Sequence, residues 1–433
     1  MFKSLKQLFT KKNNKDLRKR LYFTLAVLAL YVIGVGIQVP NIKLNDELGA
    51  LGFLELLDVM GGGGLKRFSI FGLGVVPYIT ASIVIQLLQM DIIPYFSDLA
   101  KQGHTGKQKL NQITRYLGIA FALFQGFAMS YIFLNQGYSV LERFEVAFIM
   151  TAGTAFLLWL GDQVTQKGFG NGTSLIIMAG ILYSLPYTIK TAFTTLVDVG
   201  GDSAAIISGS AKFALFMIVC ILVVIAVIFV EGAARRISIQ YANKSTANLG
   251  KQTYMPIKIN SAGVIPVIFA SSLLAVPVTV AQFIHNEAVT DFINKYISYT
   301  TPVGLVLYIV FIIFFDYFYT FIQMKPDQMA KNLKDNGGYV PGIRPGKDTE
   351  DYFSKMLIKL TTAGSVFLAV IAAFPILLNM LTSLPSSVSI GGTSLLIVVG
   401  VSVETYKQIE SSLLAREYTG TTTSTRSKRR ARR

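Results

Sequence analysis

The chain has 433 residues, 52% hydrophobic and only 15% charged, with a mean hydropathy of +0.52. Soluble domains carry about 25% charged residues, so a soluble globule is excluded and a polytopic membrane protein is expected. A single cysteine, Cys220, excludes an intrachain disulfide framework, and two histidines, His104 and His285, far apart in polar stretches, give no support to a histidine-rich metal site.

Residues 1–20 are strongly basic, and the apolar run that begins at Leu21 is long enough to persist as a helix rather than a cleaved signal. Apolar run length gives ten spanning candidates: Leu21–Val39, Val75–Met90, Ile113–Leu134, Val146–Val164, Thr173–Tyr187, Phe213–Val230, Ala262–Phe283, Pro302–Phe321, Ile358–Leu378 and Gly391–Leu413. The second is the most unusual. Before it, FLELLDVM (Phe53–Met60) carries Glu55 and Asp58, four glycines follow at Gly61–Gly64, and Ser69–Met90 then holds no charge. Gly72, Gly74 and Pro77 interrupt the first half of that run. The expected order is a short mobile helix, a glycine hinge and a spanning helix. Broken helices persist at membrane depth only where protein buries them or where they line a wet cavity, so a path through the membrane is expected beside this segment.

The fifth and tenth candidates are the weakest, and each has a glycine-rich entry, GFGNG at 168–172 and IGG at 390–392. Their five-helix separation hints at two five-helix halves, as in inverted repeats; two short buried helices are the plainer reading. With the N-terminus inside, all but seven of the 40 lysines and arginines fall on the inner side, which fixes the orientation. Both termini are then cytoplasmic. The tail RSKRRARR (Arg426–Arg433) suits anionic lipid or RNA, or is simply a solvated topogenic end.

Two inner loops exceed the 2–8 residues, roughly, that join most helices. In Glu231–Lys258, ARRISIQYA alternates polar and apolar residues as a β-hairpin arm does. In Lys325–Lys359, Pro341 and Pro345 bracket Arg344 in stiff Pro-Gly turns, the form of a docking tip for carboxylate or phosphate; the alternative is a positive-inside loop with no partner.

The spans contain almost no titratable groups, whereas ion-coupled transporters place them at mid-membrane. Asp162 lies near an end, and Asp316 is the one acid well inside a run, read as a structural residue near Tyr317 and Tyr319. Val75, Ile79 and Ile83 share one helical face, and Ile177 with Ile181 another. Such stripes are ordinarily core; a hydrophobic constriction can also seal a channel by dewetting. No HExxH, GxSxG or GxxxxGKS motif is present, and GFGNGTS (Gly168–Ser174) lacks the lysine of a phosphate loop. No enzyme activity and no cofactor are expected.

Six stretches carry a resemblance: PYITASIVIQLL (77–88), GFGNGTSLII (168–177), EGAARRISIQYA (231–242), INSAGVIPVIFASSLL (259–274), GIRPGKDT (342–349) and GGTSLLIVVGV (391–401). In this order, among ten spans, the chain resembles the SecY family of channel subunits along essentially its whole length. The resemblance implies an all-α polytopic membrane protein of the bacterial plasma membrane, with ten transmembrane helices in two pseudo-symmetric five-helix halves around an hourglass pore. The ranges it implies are a basic N-terminus (1–20), an N-terminal half (21–200), a C-terminal half (201–414, with loops 231–258 and 325–359) and a basic tail (415–433). It implies a plug helix at about 54–64, including Leu54, Leu57, Met60, Gly61, Gly62, Gly63 and Gly64. A pore ring is implied at Val75, Ile79, Ile177, Ile181, Ile268 and Ile397, with Ile265 or Thr173 as alternative contributors. Arg235, Arg236 and Arg344 match the family's contacts for the SecA ATPase and the translating ribosome. Gln86 and Ser271 are implied lateral-gate positions, or ordinary helix-packing residues. Implied partners are SecE-like and SecG-like small subunits, a signal sequence or nascent polypeptide, and anionic lipid, but no DNA. The implied function is passage of unfolded secretory polypeptides across the membrane and lateral release of transmembrane segments. The alternatives are an ion-coupled secondary transporter and an accessory, substrate-restricted SecY.

Overall fold

In the computed structural model, a helix falls within or over each of the ten expected apolar runs. The structure describes residues 15–40, 42, 58, 61–65, 67–89, 93–134, 137–197, 203–241, 253–284, 287–297, 301–382 and 391–430. The elements in order are α1 (Lys15–Val35), α2 (Val76–Leu88), α3 (Pro94–Lys101), α4 (His104–Phe133), α5 (Val140–Lys167), α6 (Gly172–Leu196) and α7 (Ser203–Gly232). Strands β1 (Ala234–Tyr241) and β2 (Thr253–Lys258) follow, then α8 (Ile265–Ile284), α9 (Glu287–Tyr296), α10 (Pro302–Met324), α11 (Pro326–Asp335), β3 (Gly338–Tyr339), α12 (Lys347–Thr382) and α13 (Gly391–Arg430). Among the described residues, five segments are long and apolar enough to cross a membrane: Val140–Lys167, Gly172–Leu196, Ile206–Gly232, Pro302–Asp335 and Lys347–Leu377.

Most helix ends differ from the expected bounds, and three of the differences have a clear local basis. Helix α2 has 13 residues, about 20 Å of helix, because residues 67–75 run as turns that include left-handed backbone at Phe68 and Gly74. Helix α12 starts 11 residues early, at Lys347 rather than Ile358, since its first turns are amphipathic and bury Phe353, Met356 and Leu357. Helix α13 continues past Leu413 to Arg430.

The chain forms two compact units. One comprises Met1–Gly49, Leu57–Pro186 and Val401–Arg433; the other comprises Ala50–Leu56 and Tyr187–Gly400. One division falls beside Pro186, which interrupts the bonding of α6.

In the first unit, α4 packs on both α5 and α2. Small residues permit the approach: a Cβ on Gly126 would lie 3.3 Å from Ala147 Cα, and one on Gly118 3.2 Å from Tyr78 Cα. Arg115 and Asp162 form an ion pair between α4 and α5. A capping box starts α5, with Ser139 Oγ accepting from the Glu142 N–H and the Ser139 N–H donating back to the Glu142 carboxylate. The GFGNG connection is held from both sides. The Phe169 N–H donates to Thr24 Oγ1 at 3.1 Å, the Gly170 N–H donates to Gln408 Oε1 at 2.5 Å, and the Phe169 ring is buried with Leu17, Ile409 and Leu413.

In the second unit, α10 packs on α8 and α12. Pro302 in the first turn and the Thr301 hydroxyl, which accepts from the Gly304 N–H, start α10. The two long loops do not stand apart: they join in one three-stranded sheet of order β2-β1-β3, antiparallel throughout. The hairpin arm expected at ARRISIQYA is β1. Its inward residues Ile237 and Ile239 share a core with Ile257 of β2, Ala330 and Leu333 of α11, and Val340.

Candidate functional site

The glycine run and the aliphatic stripes meet in the first unit. Gly62 and Gly63 adopt positive φ, 73° and 74°, a conformation glycine reaches without a Cβ penalty. A Cβ on Gly62 would lie 3.2 Å from Gly180 Cα and 3.4 Å from Tyr31 Oη. Gly180 precedes Ile181 on α6 and lies one turn after Ile177, so Gly62 meets α6 beside the stripe that those residues form. On its other side, a Cβ on Gly74 would lie 3.6 Å from Gly61 Cα, which puts the run beside the residue that precedes Val75. Leu54, Leu57 and Met60 lie outside the described residues.

Val75 and Ile79 occupy the entry to α2, with Val75 as its N-cap residue. They are 2% and 7% exposed, and Ile177 and Ile181 are 3% and 0%. The segment leading into Val75 is fixed by Ser69, whose Oγ donates to Gly34 O at 3.1 Å and accepts from the Phe71 N–H. Gly153 lets it approach α5, because a Cβ there would fall 2.0 Å from Ile70 O.

In the second unit, Ile268 on α8 and Ile397 on α13 are buried at 5% and 4% exposure. Their helices touch where a Cβ on Gly400 would lie 2.6 Å from Val264 Cγ1. Each unit therefore holds its share of the six aliphatic residues on buried helix positions. Ile265 and Thr173 are only half-buried. Asp316 is buried on α10, where a Cβ on Gly364 of α12 would lie 3.7 Å from its Oδ2; it sits at a helix-packing position.

The arginines fall on one folded body. Arg235 and Arg236 are exposed at the start of β1, and Arg344 is exposed in the turn that follows β3. That turn is rigid: the Ile343 N–H donates to Val340 O at 3.1 Å, Gly342 has φ of 83°, and Thr349 Oγ1 donates to Arg344 O at 2.8 Å. Gln86 Nε2 donates to Ser82 Oγ and Ser271 Oγ donates to Ile268 O, both within their own helices. Among the described residues, Gln86 Oε1 is buried without a hydrogen-bond partner.

Sequence reasoning missed two features. The joining of the two loops through β3 had only GY (Gly338–Tyr339) as its signal, too short to read as a strand. Gly180 was detectable: a small residue within an aliphatic run marks close backbone approach.

The family model for SecY matches residues 69–406. The chain is 48% identical over 422 residues to a protein translocase subunit SecY of Staphylococcus aureus, covering 94% of this chain and 96% of that relative. Its fold is similar to a solved protein-conducting channel, at a TM-score of 0.64 and 20% identity over 91% of this chain and 92% of the other. It is also similar to Sec61 in the canine ribosome-channel complex, at a TM-score of 0.59 and 19% identity, again over 91% and 92%. Buried aliphatic stripes, a glycine run that approaches α6 beside one of them and this match over most of both chains agree: the chain belongs to the SecY family.

Proposed function

We propose that this chain is the channel subunit of a bacterial protein translocase, passing unfolded secretory polypeptides across the plasma membrane and releasing transmembrane segments sideways into lipid. The observation that carries the reading is the close approach of Gly62 to Gly180, beside Ile181 and one turn from Ile177. A side-chain-free segment beside an aliphatic stripe is suited to a closure that must leave and return. The names of the Staphylococcus aureus relative and of the solved channel support it.

Val75, Ile79, Ile177, Ile181, Ile268 and Ile397 line the constriction. An aliphatic ring offers no fixed hydrogen-bond partner, so it excludes water and ions while accepting any extended chain. The segment 54–64 is the plug that favours the shut state, and a signal sequence shifts the balance toward the open one. Gln86 and Ser271 stand at the lateral gate. The chain divides functionally into an N-terminal half, 21–200, and a C-terminal half, 201–414, with both termini cytoplasmic. Arg235, Arg236 and Arg344 receive a SecA-type ATPase or a translating ribosome; the canine neighbour, taken from a ribosome-channel complex, supports the latter. SecE-like and SecG-like subunits complete the assembly, and the driving energy comes from the ATPase or from chain elongation.

The test is reconstitution of the chain with its small subunits in vesicles, with a SecA-type ATPase, ATP and an unfolded precursor. ATP-dependent protection of the precursor from external protease is expected. Saturable uptake of a small solute with no protected precursor would overturn the reading in favour of a transporter.

A further inference from the structure

Strand β1 is central in its sheet, yet among the described residues one of its edges is largely without a paired strand. Its partner β2 covers it from Ala234↔Lys258 to Ile239↔Thr253, whereas β3 covers only Gln240↔Tyr339 and Tyr241↔Gly338. The reason is local. After Tyr339 the chain enters the Val340–Ile343 turn, where Pro341 has no N–H and Gly342 takes positive φ, the signature of a type II turn. The turn carries the chain off the edge after two pairs.

The register shows which groups are left. The Ile259 N–H donates to Ala233 O at 3.1 Å, one step beyond Ala234↔Lys258. In an antiparallel ladder successive residues direct their backbone groups to opposite sides, so the odd-numbered residues of β1 bond to β2. Pro256, opposite Arg236, agrees, because it has no N–H to offer. The N–H and C=O groups of Ala234, Arg236 and Ser238 therefore point to the side where β3 stops short. Ala234 and Arg236 are exposed and Ser238 is half-buried. No acidic residue occurs in β1, β2 or β3, and Arg236 and Lys258 lie on one sheet face.

We propose that this edge takes an extended, acidic segment of a protein partner as an added strand, with Ala234, Arg236 and Ser238 supplying the backbone bonds and Arg236 selecting the charge. The inference rests on the reading that the loop arginines meet a cytoplasmic partner, and specifies how. A polypeptide fits where RNA does not, because only a peptide backbone offers alternating donors and acceptors at strand spacing.

The full-length chain in lipid nanodiscs, with a SecA-type ATPase as probe, tests it by residue-resolved hydrogen–deuterium exchange. Amide exchange at Arg236 and Ser238 should slow by about tenfold or more on binding, the scale of one to two net hydrogen bonds, while Ile237 and Ile239 stay unchanged. Ser238→Pro, which removes an outward N–H and leaves the β2 ladder intact, should weaken binding by about tenfold; Arg236→Glu should do the same. Binding that depends on Arg236 but leaves Arg236 and Ser238 exchanging as before would overturn strand addition and keep the partner reading. Protection of both amides before the ATPase is added would overturn it too, the edge being already occupied by this chain. Protection by ribosomes alone, with no ATPase binding, would refute the acidic protein segment. Absence of any binding by either would remove the partner reading itself.

Discussion

Asn260 Nδ2 donates a 2.7 Å hydrogen bond to Glu231 Oε1 in the interior of the second unit, tying the end of α7 to the turn that enters α8. The same amide holds that turn, since its Oδ1 accepts from the Gly263 N–H and its Nδ2 also reaches Gly263 O, each at 3.0 Å. Between these two anchored points the chain leaves to form β1 and β2, so the contact is the root of the arginine-bearing sheet. Asn260→Ala should lower stability by about 1–3 kcal/mol, the cost of leaving buried polar groups short of a partner. A thermal unfolding midpoint equal to the parent's would contradict it. Because the sheet loses its root, ATPase-dependent export should fall along with stability.

Thr24 makes a second long-range tie, accepting from the Phe169 N–H while donating to Arg20 O at 3.0 Å. Thr24→Val keeps the shape and removes both bonds, leaving the buried Phe169 N–H without its acceptor. A loss of about 1–3 kcal/mol is expected, with Thr24→Ser close to the parent. Denaturation of the two variants side by side measures this; equal midpoints for valine and serine would show that the hydroxyl contributes nothing.

Gly153→Ala separates steric from conformational demands on glycine. Its Cβ would fall 2.0 Å from Ile70 O, a backbone atom that cannot move without displacing the entry to α2. Gly63→Ala meets nothing within 4 Å but carries φ of 74°, which costs about 1–2 kcal/mol for an L-residue. The alanine at 153 should fail to accumulate as folded protein, and the alanine at 63 should accumulate with reduced stability. Equal accumulation of the two would mean that α5 yields where the packing says it does not.

The proposed ring is tested by Ile79→Asn and Ile397→Asn. A polar amide in a dewetted constriction stabilises water there, so both variants should increase ion leak through the resting channel and admit precursors with defective signal sequences. Unchanged leak and unchanged signal stringency in both would remove these residues from the constriction. In the turn after β3, Arg344→Glu should impair ATPase-driven export while the protein itself still inserts; normal export would dissociate Arg344 from partner binding.

Apolar run length located the helices because hydrocarbon demands a continuous apolar stretch. It misplaced the ends of α12 and α13, where polar residues continue the helix beyond any membrane requirement. The break before α2 was legible in Gly72, Gly74 and Pro77, since glycine and proline act locally. The joining of the two loops was not, because β3 is a two-residue strand whose pairing depends on a partner about 100 residues away. Spacing alone left the stripes at Ile79 and Ile177 indistinguishable from core: residues sealing a narrow pore are as buried as residues packing a helix pair. The neighbourhood of Gly180 adds what spacing lacks, the approach of Gly62 beside the stripe.

The central claim is that polypeptide passes the Ile79 face of α2. A photocrosslinking residue at position 79, with a control at Leu25 on α1, which is 54% exposed, tests it during arrested export of a secretory precursor. An adduct with the precursor at 79 that requires ATP and the ATPase is expected, and none at 25. No adduct at 79 while export proceeds would contradict it and return the stripe to core packing.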